Sequence, residues 1–139
     1  MSDAATIAQE YFESFNKRDW DRMRTMFHQD YTYTGGDGVA LKGADAAMAI
    51  NQGFANGMSD ARIKIERTQS AGNIAVTEFT GTGTHDGDLM GIPATGKRLS
   101  MPVCNVIEVK DGKILAEREY MDMMHLMQQI GAVPAPATA

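Results

Sequence analysis

Apolar residues recur at helical spacing through much of the first half of the chain and alternate with polar ones through much of the second. Ile7, Tyr11, Phe12 and Phe15 fall on one side of a helix over 4–18, with Asp3 placed to cap it. Asp19 can open a second, short helix carrying Trp20, Met23, Met26 and Phe27 on its apolar side. Tyr31-Thr32-Tyr33 is β-prone and runs into the turn Gly35-Gly36-Asp37-Gly38. Gly43 precedes a third helix, 44–56, with Met48, Ile50 and Phe54 apolar, Asn51 among them and Gly57 as its expected C-cap.

Strands follow. Ala61, Ile63 and Ile65 alternate with Arg62, Lys64 and Glu66, the pattern of a half-buried strand. A turn at Gly72-Asn73 leads into a strand over 74–85, where Gly81 and Gly83 suggest a bend. A loop, 86–97, separates it from a long strand over 98–110. That strand has Leu99, Met101, Val103, Ile107 and Val109 on one face, and Asn105 among them. Asp111-Gly112 marks a hairpin, and the return strand covers 114–122. Uninterrupted alternation there puts Ile114, Ala116, Arg118, Tyr120 and Asp122 on one face and turns Glu117 and Glu119 to solvent. A short helix, about 123–130, stops at Gly131. Helices first and a strand meander after them predict an α+β domain over 1–131, with a curved antiparallel sheet packed on three N-terminal helices and a short C-terminal helix. The segment 132–139, AVPAPATA, reads as a flexible tail.

Composition narrows the classes. The 139 residues suit one compact domain, and 43% hydrophobic with 22% charged is ordinary for a globular protein. The formal charge is −5 with scattered cations, which argues against nucleic acid as a partner. No apolar run approaches the ~20 residues that span a bilayer, and no basic-then-apolar leader opens the chain, so neither membrane nor secretion is expected. A single cysteine, Cys104, forms no intrachain pair and reads as a small buried strand residue; a cytoplasmic setting fits. The three histidines show no ligand spacing, so no metal is expected. The 11 methionines suit an adaptable apolar core or pocket.

Candidate chemistry centres on Asp122, an acid on an otherwise apolar strand face. In an apolar hollow its proton affinity rises toward that of a usable acid/base; as a plain structural residue it would cap the helix that follows. His85, beside the Asp86-Gly87 loop, is the second catalytic candidate, or else a loop fastener. Asn51 and Asn105 are amides on apolar faces, fit to bond an enolate oxygen or simply to be satisfied in the core. Arg118 could hold a substrate anion. Tyr11, Phe15, Trp20, Tyr31, Tyr33, Tyr120, Met48 and Met124 are candidates for a cavity wall.

Several motifs carry a resemblance. They are Gly83-Thr84-His85 with Gly87, Gly91-Ile92-Pro93, Thr95-Gly96-Lys97, Asp111-Gly112-Lys113-Ile114, Asp122 and Gln129-Ile130-Gly131. The N-terminal half matches in outline, with a helical opening, Asp30 before a strand and Gly43 before the third helix. In these the chain resembles the SnoaL-like polyketide cyclase family of the NTF2-like superfamily. The resemblance implies a cone-shaped α+β fold around a hydrophobic pocket. It also implies an aspartate at the end of the last strand, matched by Asp122, as acid/base in an intramolecular aldol closure. Members often carry Trp at the position of Arg118 and His where this chain has Asn105. The expected protein is therefore a cofactor-independent enzyme acting on a hydrophobic carbonyl compound, and a homodimer, as the superfamily implies. An epoxide hydrolase or isomerase of the same fold, or a non-catalytic binder of apolar small molecules, are the alternatives.

Overall fold

A computed structural model describes residues 3–134; Met1, Ser2 and the last five residues of the expected tail lie outside them. Helix α1 (Ala4–Asn16) is capped by Asp3, whose carboxylate accepts the Thr6 N–H at 2.8 Å. Helix α2 (Trp20–Arg24) is capped the same way by Asp19. Strand β1 (Phe27–Thr34) turns through Gly35–Gly38 into β2 (Ala40–Lys42), a short exposed strand that no alternation announces. Helix α3 (Ala44–Gly57) follows. Its expected C-cap, Gly57, lies inside the helix, and Met58 takes the cap position. Gly57 is needed for closeness instead: a Cβ there would stand 2.8 Å from Leu89.

Strands β3 (Arg62–Ala71), β4 (Ile74–Thr84), β5 (Arg98–Lys110) and β6 (Lys113–Met121) form the meander, and α4 (Met123–Gln129) closes the described elements. The sheet is open, six-stranded and ordered β2-β1-β6-β5-β4-β3. One pairing departs from the all-antiparallel expectation. β6 returns beside β1 in the same direction, setting Tyr33 opposite Glu117. The whole run of β2, α3 and strands β3, β4 and β5 serves as the long connection that a parallel pair requires.

Register shifts interrupt β1, β3 and the β5–β6 ladder, and such bulges bend a sheet. The concave face so produced covers α1 and α3, with Ile7, Phe12, Phe15, Phe79, Leu99 and Ile107 buried between them. Asn16 fastens α1 to the free edge of β3 like a strand partner, its amide exchanging two 2.8 Å bonds with the Ile63 backbone. No described helix is long and apolar enough to cross a membrane.

The bulge in β6 fixes what the concave face presents. Val109 pairs with Ile114 and Glu108 with Ala116, which leaves Leu115 as the extra residue. Ile114 faces the core, fully buried, but beyond the bulge the alternation is out of step with it. Glu117, Glu119 and Met121 then oppose Ile107, Asn105 and Val103 on the inner face. The expectation of unbroken alternation is overturned here: Arg118 and Tyr120 lie on the outer face.

Candidate active site

A cavity of about 90 Å³ opens between α1, α3 and the concave sheet. Its walls are mostly apolar: Phe12 and Phe15 from α1, Ile50 and Phe54 from α3, Phe79 from β4, Leu99, Met101 and Val103 from β5. Into this lining project three tyrosines, one amide and two carboxyls. Arg62, exposed, is the single cation among the described residues that line it.

Glu117 is 3% exposed, so its oxygens depend on protein donors. Oε1 accepts the hydroxyls of Tyr31 at 2.7 Å and Tyr11 at 3.0 Å, and Oε2 accepts Asn105 Nδ2 at 2.7 Å. Glu119, two residues on and half-buried, accepts the same Asn105 nitrogen at 3.0 Å on Oε2 and the Tyr33 hydroxyl at 3.2 Å on Oε1. Asn51 Nδ2 donates to the Tyr11 hydroxyl at 2.8 Å and to the Ala47 carbonyl at 2.9 Å, which orients that tyrosine. Two carboxyls, three phenols and two amides thus form one connected network.

Burial pushes both carboxyls up. Glu117 is raised by burial against the pull of its three donors. Glu119 is pushed up to about 7, by burial first and by the neighbouring Glu117 charge second. The tyrosines are raised well above the ordinary phenol, again by burial first; the Glu117 charge comes next for Tyr11 and Tyr31, and the Glu119 charge for Tyr33. The phenols are thereby held as neutral donors, and burial brings the Glu119 carboxyl toward the range in which a proton is exchanged near neutrality.

The profile of SnoaL-like polyketide cyclases matches residues 5–130. The chain belongs to this family. Aklanonic acid methyl ester cyclase DnrD of Streptomyces peucetius is 26% identical over 134 residues, covering 94% of this chain and 92% of DnrD. The corresponding DauD cyclase of Streptomyces sp. strain C5 is 41% identical over a shorter stretch of 49 residues, 35% of this chain and 30% of DauD. Among solved structures, AclR of Streptomyces galilaeus superposes with a TM-score of 0.85 at 20% identity, covering 96% of this chain and 83% of AclR. An epoxide hydrolase of the LEH-like type from M. tuberculosis superposes with a TM-score of 0.72 at 20% identity, covering 93% and 90%. At such identities these likenesses establish the fold alone.

Within this SnoaL-like frame the residues picked out from the sequence separate. Tyr11, Phe15, Tyr33 and Asn51 line the cavity, and Asn105 lies just behind the carboxyls. Asp122 does not open into the cavity, which corrects the central expectation. It is exposed, caps α4 by accepting the His125 N–H at 3.0 Å, and borders a groove on the outer face. The bulge at Leu115 is the reason: it puts Met121, not Asp122, on the inner side. Arg118 is corrected likewise; it sits on the outer face and pairs with Glu108 at 2.6 Å. Tyr120, 52% exposed, and Met124, 59% exposed, lie outside.

His85 is also outside the cavity lining. It is fully buried, with Nδ1 against Thr95 Oγ1 at 2.9 Å and Nε2 against the Ile92 carbonyl at 3.1 Å, so both ring nitrogens fasten the 86–97 loop. Trp20 packs edge-on against Phe15, ring centroids 5.9 Å apart, and Met48 is core; neither reaches the cavity wall. Glu117 and Glu119, expected in solvent, are the residues the sequence reading missed. One signal for them was available: three tyrosines and an inward asparagine on buried faces need an acceptor, and no other acid on the neighbouring strands is placed to serve.

Proposed function

We propose that this cavity is the active site of a cofactor-independent polyketide-cyclase-type enzyme, with Glu119 as its acid/base. The observation that carries the reading is the pair of carboxyls on an apolar wall, one of them poised near neutrality. The Glu119 carboxylate takes a proton from a methylene beside a carbonyl. The enolate carbon so formed attacks a second carbonyl of the same molecule, making the ring bond as that carbonyl becomes an alkoxide. The alkoxide then takes the proton back from Glu119, which returns to its starting state. A group with proton affinity near the working pH serves both steps. Once Glu119 has taken the proton, the single Tyr33 hydroxyl hydrogen that it had accepted is free to turn to the enolate oxygen. Nothing in this sequence calls for a metal or an organic cofactor.

The substrate class is a hydrophobic carbonyl compound, of the kind for which the DnrD and DauD relatives are named. Epoxide opening is less well supported, because neither carboxyl is paired with an arginine to frame an attacking water. Association into a homodimer through the outer sheet face, where Tyr120 is exposed, and a cytoplasmic setting belong to the same reading.

The test is Glu119→Gln assayed with aklanonic acid methyl ester, with binding followed by calorimetry. The variant should lose about 100-fold or more in kcat while still binding. Turnover within a few-fold of the parent would remove the acid/base assignment. Tight binding by the parent with no turnover would favour the non-catalytic binder.

A further inference from the structure

Asn105 is fully buried, and its Oδ1 is the one buried side-chain oxygen or nitrogen among the described residues with no hydrogen-bond partner. Its Nδ2 is fully used, with one hydrogen for each carboxyl, at 2.7 Å to Glu117 and 3.0 Å to Glu119. Turning the amide over would give Oδ1 to the carboxyls and set the negative end of its dipole against them. The observed orientation leaves Oδ1 unsatisfied instead, so donation to the carboxyls outweighs that loss.

We propose that Asn105 and Glu117 are positioning residues for Glu119: the amide ties the two carboxyls into one unit that holds a single proton, and the unequal donor sets direct that proton to Glu119. The proposal rests on the acid/base reading of Glu119 and adds how its proton affinity is set. Glu117 accepts three donors and Glu119 only two, the second of them long. A carboxylate surrounded by more donors keeps its charge more readily. That standing charge then disfavours a second one on the adjacent carboxyl, so the pair titrates as a unit.

The groups facing Glu119 are few. They are Tyr33 on β1, Asn105 on β5 and Glu117 on its own strand; Tyr11 on α1 and Tyr31 on β1 reach it through Glu117, and Asn51 on α3 reaches it through Tyr11. None of these carries positive charge; Arg62 on β3, the cation of the same cavity wall, makes no ion pair with either carboxyl, and neither carboxyl is in any ion pair among the described residues. The control of Glu119 therefore lies in the amide and the second carboxyl rather than in a cation.

The test is a titration of the Glu119 carboxyl by carbon-13 NMR on the intact protein, which needs no substrate. Asn105→Leu removes a donor from both carboxylates at once, so the pair holds its shared proton more tightly and the midpoint should rise. Glu117→Gln removes the neighbouring charge, so the midpoint should fall by about one pH unit, a tenfold loss of proton affinity. Tyr31→Phe strips a donor from Glu117 only; it should move the shared proton toward Glu117 and lower the Glu119 midpoint too, and it stands in where Glu117→Gln does not fold. A purely structural role predicts no such opposed shifts. Midpoints that stay in place, or that move in the same direction in the Asn105 and Glu117 variants, overturn the proposal. Failure of the Glu119→Gln activity test would remove the catalytic reading and leave these shifts as they are.

Discussion

The Tyr31 hydroxyl on β1 donates a 2.7 Å hydrogen bond to Glu117 Oε1 on the parallel strand β6. Both side chains are nearly inaccessible, so solvent offers no substitute for the bond. Tyr31→Phe should therefore lower folding stability by about 1–3 kcal/mol, the cost of leaving a buried carboxylate short of a donor. Denaturant unfolding measures it, and an unchanged midpoint would show that the hydroxyl is dispensable.

Glu119 predicts a second dependence, on pH. Its proton is held more tightly in the folded protein than in the unfolded chain, with affinity raised from 4.5 to about 7. Its contribution to stability is thus fully present below about pH 4.5 and is lost as pH rises through about 7. Because the side chain keeps some contact with solvent, the loss is on the order of 2 kcal/mol. Glu119→Gln, which cannot ionise, should lack this loss. Thermal melts of the two proteins from pH 4.5 to 8.5 should diverge in favour of the variant at the alkaline end.

At the end of β6 the relevant chemistry is helix capping. Asp122→Ala should cost about 1 kcal/mol, whereas Asp122→Asn, a good cap itself, should be close to neutral. Both should leave turnover within a few-fold. A hundredfold loss in Asp122→Asn, with the fold intact by circular dichroism, would return the chemistry to this residue.

His85 holds a loop rather than a substrate. Replacing it with Ala should leave Thr95 and the Ile92 carbonyl unsatisfied and cost about 1–3 kcal/mol. Turnover per folded molecule should persist. Faster hydrogen exchange across 86–97 is the expected signature.

Much of this architecture could be read from residues alone. The helix caps Asp3 and Asp19, the hairpin at Asp111-Gly112 and the span of β5 from Arg98 to Lys110 all follow from local signals. The inward face of β5, with Asn105 on it, follows from simple alternation. β2 was not legible, because its three residues are all exposed and show no periodicity. The carboxyl site was not legible for a different reason. A bulge depends on how one strand meets its partner, and nothing in the run Ile114-Leu115-Ala116 announces it. One misplaced step there exchanged Glu117 and Glu119 for Arg118, Tyr120 and Asp122. The signals that would have corrected it were tertiary, namely the unmatched hydroxyls of Tyr11, Tyr31 and Tyr33.

Leu115 therefore acts as a phase selector for the whole distal half of β6. Deleting that one residue would let Ile114 and Ala116 follow in plain alternation opposite Val109 and Glu108 and keep both acids inside, whereas flattening the bulge with Leu115 retained would carry a guanidinium and a phenol into the hollow and expel both acids. One irregular backbone step thus decides which charges the hollow holds, a larger lever than any point substitution in the lining.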